Sequence, residues 1–419
     1  MSRILFSAYA CEPGKGSEPE VGWMWATEAA SAGHEVWVIT RTANRQAIET
    51  HIEQQRVPGL HFVYCDLPDW VRRWKHGGNG VHWYYALWQW RAYRVARRLT
   101  TSVRFDCVQH VTFVGLRAPS FMGCLGLPFV LGPVSGGECV PRALRGRMSR
   151  RAKLTEWGRD LANGVVRVDP VMRHGFRKAE RILLATNASK RLVPGKFHAK
   201  CVVQLGVGLS REYLGWTGPG RRVHDPALRL LYAGRLLEWK GVDLALRALS
   251  AVRAHGAAVR LTIVGQGPAE AALRNLATKL GLDEVVRWLK WIPKSELDAL
   301  YHQHDVLLFP SLRDSGGMVL LEALAHGLPV VCTDCGGPGT IVNQGCGRVV
   351  PAAESTMQEV VDGLAHAVLD LRNDRYLLQK LSRGARSRAW DFDFHKVITR
   401  VHPVELDVAL ARPAQARPA

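Results

Sequence analysis

Phe309-Pro310-Ser311-Leu312-Arg313-Asp314-Ser315-Gly316-Gly317-Met318-Val319-Leu320-Leu321-Glu322-Ala323 sets the reading of the whole chain. The apolar run Val306-Leu307-Leu308-Phe309 reads as a short strand that stops at Pro310. A polar loop carrying Asp314 follows, and two glycines then open a helix over Met318–Ala325 with Glu322 on it. A strand that feeds a glycine-bearing loop and then a helix is the repeating unit of a parallel α/β sheet.

The unit recurs on both sides of this stretch. Leu228–Ala233 predicts a strand and Val242–Ala254 a helix. Leu261–Val264 and Pro268–Leu280 repeat the pair, and Pro329–Cys332 is another strand. At the N-terminus, Ile4–Ala8, a loop holding Pro13, Gly14 and Gly16, a helix over Glu20–Ala32 ended by Gly33, and the apolar run Val36–Ile39 form a βαβ unit. The expected fold is α/β, with two doubly wound Rossmann-like domains over 1–205 and 206–395. The remainder, 396–419, reads as a C-terminal helix and a frayed tail. Gly, Pro and Arg cluster from Gly206 to Arg222, where the domains should join.

The chain has 419 residues, 47% apolar and 22% charged, which excludes a largely disordered protein. No apolar run reaches the roughly 18 residues of a membrane span. The opening Met1-Ser2-Arg3-Ile4-Leu5 turns polar too soon for a secretion signal, so the expected compartment is the cytoplasm. Lys and Arg number 56 against 37 Asp and Glu, a net +19 that attracts polyanions: nucleic acid, acidic lipid or phosphorylated substrate. Nine scattered cysteines argue against a disulfide framework, and Cys332, Cys335 and Cys346 read as small buried thiols rather than a zinc site. Asp391-Phe392-Asp393 reads as structural, and no metal site is expected.

The chemistry concentrates in two segments. Free N–H groups at the start of the Met318–Ala325 helix suit a phosphate or a sugar hydroxyl, and glycine permits close approach. Asp314 and Glu322 can each accept paired hydrogen bonds from neighbouring hydroxyls. In Tyr232-Ala233-Gly234-Arg235-Leu236-Leu237-Glu238-Trp239-Lys240-Gly241, Arg235 leaves a strand end and Lys240 sits at a helix start. Two fixed cations there can stabilise a leaving diphosphate without a metal. Taken singly, either acid is equally at home as a solvated surface charge, and either cation is more often one.

Together the two segments resemble the retaining, nucleotide-sugar-dependent glycosyltransferases of family 4. There the first segment carries Glu, seven residues, Glu; here it carries Asp314, seven residues, Glu322. Ala10-Cys11-Glu12-Pro13-Gly14-Lys15-Gly16-Ser17-Glu18-Pro19-Glu20 and Gly132-Pro133-Val134-Ser135-Gly136-Gly137-Glu138 resemble a subgroup of that family. The resemblance implies a GT-B fold, two Rossmann-like domains facing a central cleft. It implies that Arg235 and Lys240 bind the donor diphosphate and that Glu322 holds the ribose. Asp314 and the backbone of Gly316, Gly317 and Met318 would hold the transferred sugar, and the Gly14–Gly16 loop, Gly16 included, would approach from the other domain. His110, expected at a strand end facing the cleft, would orient a sugar hydroxyl. Asp in place of Glu retracts the carboxylate by one methylene, roughly 1.5 Å. The donor, a UDP or GDP sugar, is a substrate, so no cofactor is expected. The acceptor would be a glycan or a lipid-linked glycan in surface polysaccharide assembly.

From Trp70 to Phe105 there are eight Arg or Lys and no Asp or Glu, interleaved with Trp70, Trp74, Trp83, Tyr84, Tyr85, Trp88, Trp90 and Tyr93. A second basic stretch runs from Arg142 to Arg181. Two readings stand side by side. Aromatic and cationic side chains together suit an anionic membrane face, which would place the protein peripherally on the inner face of the cell membrane. Alternatively, the tryptophans pack inward with Arg outside. Rival functions are a basic nucleic-acid-binding protein, which lacks a recognised binding motif, and another GT-B enzyme such as a phosphorylase.

Overall fold

A computed structural model describes residues 1–15, 17–72, 81–215 and 227–403. Gly16, Trp74, part of the expected domain junction and the Ala411–Ala419 tail lie outside the described residues.

The strands are β1 (Arg3–Ala8), β2 (Glu35–Thr40), β3 (Leu60–Tyr64), β4 (Cys107–Thr112), β5 (Phe129–Val134), β6 (Arg181–Leu184), β7 (Cys201–Val203), β8 (Leu228–Ala233), β9 (Val259–Val264), β10 (Val286–Leu289), β11 (Val306–Phe309), β12 (Val330–Thr333) and β13 (Gly347–Val350). They form two sheets, ordered β3-β2-β1-β4-β5-β6-β7 and β10-β9-β8-β11-β12-β13. Every pairing within them is parallel. Strands covered by helices on both faces read as unbroken apolar runs, and β11 and β12 are buried throughout.

Each sheet reverses its winding once, between β1 and β4 in the first and between β8 and β11 in the second. Loops that leave the carboxyl ends of such neighbours diverge and open a crevice. Both segments singled out for their chemistry, and the Gly14 loop, emerge at these two places.

The first sheet separates two layers of core. Leu5, Val108 and Leu131 point to one side, under Tyr85 and Trp88 of the Val81–Leu99 helix and under Val166, Met172 and Phe176. Ile4, Phe6 and Val130 point to the other, against Trp25 of the Ser17–Ser31 helix. The last described helix, Phe394–Val401, joins that second layer through Phe394, Val397, Ile398 and Val401. The chain therefore starts and ends, among the described residues, on the first sheet. Four buried apolar side chains at about 2 kcal/mol each make this return helix a substantial tie.

Candidate active site

The crevice at β8 and β11 is built by close backbone packing. A Cβ on Gly241, which has φ +69°, would lie 2.0 Å from the Pro310 carbonyl oxygen. The loop after β8 can touch the loop after β11 only with glycine at that position. Gly317 caps the Met318–Ala325 helix with φ 124°, a conformation that side-chain-bearing residues rarely adopt. A Cβ on Gly316 would make only ordinary van der Waals contact, with a Val207 methyl at 3.7 Å.

Lys240 and Asp314 meet across this crevice, Nζ to Oδ2 at 2.5 Å. Arg235 is exposed, and its guanidinium makes no ion pair with a described residue. The Tyr232 hydroxyl donates to the Arg235 carbonyl at 3.1 Å, which fixes the backbone under this free cation. Glu322 is the fifth residue of its helix, and its Oε2 accepts from the Tyr301 hydroxyl at 2.8 Å and pairs with Lys294 at 2.9 Å. Its Oε1 accepts no hydrogen bond from a described residue, which leaves it for a ligand hydroxyl.

Sequence reasoning missed the group behind Glu322. Lys294 also reaches the Tyr213 hydroxyl at 2.8 Å and Asp298 at 3.1 Å. Tyr213 donates to Asp298 Oδ1 at 2.6 Å, and His326 Nε2 lies 3.2 Å from the same oxygen. Burial works to raise the Asp298 carboxyl, but hydrogen bonds from His326, Tyr213 and Lys294 hold it down at about 2. Burial, and then the Glu322 charge, push the Tyr213 phenol up, so it stays a neutral donor. Lys294, Asp298 and Tyr301 share the Lys294–Gln303 helix, but Tyr213 and His326 come from other elements, so no local motif announces the set.

A cavity of 360 Å³ opens beside Glu322. Met318, Lys294 and Glu322 line it from the second domain, and Gly14, Glu20 and Met24 from the first. Gly14 has φ +67° and no atom within 4 Å of where a Cβ would stand, so the tip of its loop is open to the cleft. Nearby, Phe113 holds φ 58°, unusual for a bulky residue, while its N–H donates to Glu18 at 2.5 Å. Burial pushes the Glu18 carboxyl up, and the Phe113 N–H opposes it.

The structure places His110 differently from the expectation that it faces the cleft. It lies inside β4, two residues before the strand ends, paired with Ser7 and Leu131 in register. Its side chain is fully buried under the Val81–Leu99 helix, with Nε2 2.9 Å from the Tyr85 hydroxyl, 3.1 Å from Gln89 and 3.2 Å from the Thr112 carbonyl. Burial pushes its pKa down to about 4, so the imidazole is neutral at pH 7. Nδ1 has no partner among the described residues.

The two domains grip one another beside the crevice. Arg313, next to Asp314, pairs with the buried Glu156 of the first domain and lies over the Trp239 ring at 4.0 Å. Arg147 pairs with Asp243 and donates to the Glu238 carbonyl at 2.7 Å. Ser149 gives Glu238 two further hydrogen bonds, of 2.7 and 2.6 Å. Glu138 looks inward, accepting from Gly136 at 3.0 Å and Thr186 at 2.6 Å. Asp393 caps the return helix, so the Asp391–Asp393 pair is structural. Cys332 and Cys346 are buried and free, and burial pushes both thiols up. Among the described residues no group of three His, Cys, Asp or Glu could hold a metal ion.

Two doubly wound domains whose reversal-point loops face one another across a cleft define the GT-B fold. Over almost its full length the chain superposes on sucrose-phosphate synthase from Thermosynechococcus elongatus: TM-score 0.64, 96% of this chain, 97% of that one, at 16% identity. Residues 222–388 match the family model described as "Glycosyl transferases group 1". A glycogen synthase of Mycobacterium tuberculosis is 34% identical over 206 residues, 49% of this chain and 48% of that protein. A D-inositol 3-phosphate glycosyltransferase of Saccharomonospora viridis is 32% identical over 236 residues, 52% of this chain and 53% of that protein. The chain thus spans about half the length of the curated relatives it matches. It is a GT-B fold relative of the family 4 nucleotide-sugar transferases.

Proposed function

We propose that the protein is a retaining glycosyltransferase that moves a hexosyl group from a nucleotide diphosphate sugar to a hydroxyl of a glycan or lipid-linked acceptor. The observation that carries this is the convergence on one crevice of a free Arg235, the Lys240–Asp314 pair and the half-occupied carboxylate of Glu322. In this reading Arg235 and Lys240 take the diphosphate, which competes with Asp314 for the Lys240 ammonium. Glu322 Oε1 accepts from the ribose. Asp314, released from Lys240, and the N–H groups at Gly316, Gly317 and Met318 hold the transferred sugar. As the glycosidic bond breaks, Arg235 and Lys240 stabilise the charge on the leaving phosphate. That phosphate takes the acceptor proton on the face it leaves, so the configuration at the sugar is retained and no side chain serves as general base. His110, neutral and buried, acts as a positioning residue: with Tyr85 it holds the end of β4, whose next residue, Phe113, bonds Glu18 beside the Gly14 loop. The Gly14 loop approaches the donor phosphates or the acceptor from the first domain.

No helix among the described residues is long and apolar enough to cross a membrane. With a lipid-linked acceptor, the protein works on the cytoplasmic face of the membrane in surface polysaccharide assembly.

The test is thermal unfolding against UDP, GDP and their hexose conjugates, followed by nuclear magnetic resonance of the product. Ligand binding to the folded state raises the midpoint. A rise with one nucleotide, abolished in Glu322→Ala, and a product with the donor's anomeric configuration are expected. No rise with any nucleotide at saturating concentration, or an inverted product, overturns the reading.

A further inference from the structure

The helix Arg150–Val166 contradicts the usual pattern of a surface helix. Its inward face is polar and charged, with Glu156, Asp160 and Asn163 bonded to Arg313, Arg145 and Arg117. Its outward face is apolar. Leu154, Trp157 and Leu161 are each 74% exposed, and Val165 and Val168 continue the line at 51% and 67%. The spacing of three and four residues puts Leu154, Trp157, Leu161 and Val165 on one stripe about 17 Å long, with Val168 just past the end of the helix. Arg150 and Arg151 stand at one end and Arg167 at the other, and the exposed positions of this helix include no carboxylate.

A second exposed apolar stripe lies on the first domain. The Val81–Leu99 helix buries Tyr84, Tyr85 and Trp88 but exposes Trp83, Leu87 and Trp90, followed by Arg91, Arg94, Arg97 and Arg98. The aromatic side chains of this one helix therefore divide, Tyr84, Tyr85 and Trp88 packing inward and Trp83 and Trp90 facing outward. Val166, the last residue of the Arg150–Val166 helix, shares one core layer with Tyr85 and Trp88, which brings that end of the helix to the same face of the first sheet. Trp90 meets Phe121 edge to face at 5.5 Å, and Arg117, just upstream of Phe121, bonds Asn163 at 2.6 Å.

We propose that these two stripes form one docking surface for an anionic lipid bilayer, with Leu154, Trp157, Leu161, Trp83 and Trp90 entering the headgroup region and the arginines meeting lipid phosphates. Charge decides the occupant. Apolar stripes rimmed by arginine and free of exposed carboxylates match a negative interface, whereas a second copy of the face would bring two sets of arginines together. The surface deepens the reading of a lipid-linked acceptor at the inner membrane face and rests on it. It also meets the active site, because Glu156, on the inner side of the docking helix, grips Arg313 beside Asp314.

The experiment is flotation of the full chain with vesicles of phosphatidylglycerol and phosphatidylethanolamine, against phosphatidylcholine alone, at low and high salt. Expected is binding to the anionic vesicles, weakened by salt, and roughly tenfold weaker or more in Leu154→Ser/Trp157→Ser/Leu161→Ser. Arg150→Glu/Arg151→Glu, which alters only exposed side chains, should weaken it as well. Failure of the parent protein to float with anionic vesicles at low salt overturns the proposal. So does equal binding by the parent and both variants. A parent protein that sediments as a dimer, with a monomeric triple variant and no vesicle binding, would assign the face to a second copy instead. The midpoint rise with nucleotide needs no lipid, so its presence in all three proteins separates failure of this surface from failure of the transferase reading.

Discussion

Arg235 and Glu322 differ in a way that mutation can read. Arg235 makes no ion pair with a described residue, so Arg235→Ala should leave the unfolding free energy within about 0.5 kcal/mol of the parent. Its kcat/KM should fall on the order of 100-fold, because a cation aimed at the leaving phosphate is lost. A calorimetric scan beside a transfer assay checks both. The buried histidines give a second outcome. Burial holds His110 at about 4, and His402 at about 3 with the His34 ring adding to the effect. The unfolded chain takes up protons below about pH 6.5, while the folded protein refuses them until those lower values. Stability should therefore decline as pH falls from 6.5 toward 4, and His402→Gln should flatten that slope in a series of thermal melts.

At the scale of elements, the return helix is the strongest test of how the domains hold together. Ile398 is fully buried against the first sheet, so Ile398→Ala should cost about 2–4 kcal/mol in a denaturant titration. The elements themselves were unevenly legible. Leu228–Ala233, Val242–Ala254, Val306–Phe309 and Met318–Ala325 were readable end to end, because central strands and their covering helices carry dense apolar runs. The docking stripe was not, since the 142–181 stretch draws the eye to its arginines. Which face of a helix meets water depends on tertiary partners such as Arg313. His110 was misplaced by two residues of strand: β4 runs on to Thr112, and a residue inside a doubly covered strand is enclosed whichever way it points. Arg235, Lys240, Asp314 and Glu322 were legible as a group because strand ends and glycines mark where loops start. Lys294 and Tyr213 have no such punctuation.

At the scale of the molecule, the ties between domains set the balance between closed and open states. Glu156 is almost wholly buried where it meets Arg313. Without Arg313 the buried Glu156 keeps the Val140 N–H at 3.0 Å and Arg159 at 3.7 Å, so Arg313→Met should cost about 1–3 kcal/mol or shift the protein toward an open form. Adding Glu156→Gln should recover much of that loss. Small-angle scattering with and without nucleotide distinguishes opening from unfolding. The way the chain crosses between the domains shapes that opening. It crosses near Leu209 and again near Phe392, and the crossings are bonded to each other, with the Leu209 N–H donating to the Phe392 carbonyl and the Phe394 N–H to the Leu209 carbonyl, both at 3.0 Å. Two connections so joined make a door hung on one pin. The halves can swing but have little freedom to slide past one another. The pin lines the same cavity as Glu322 through Val207 and Ser210, so a donor seated there is held near the axle, where a swing moves it least.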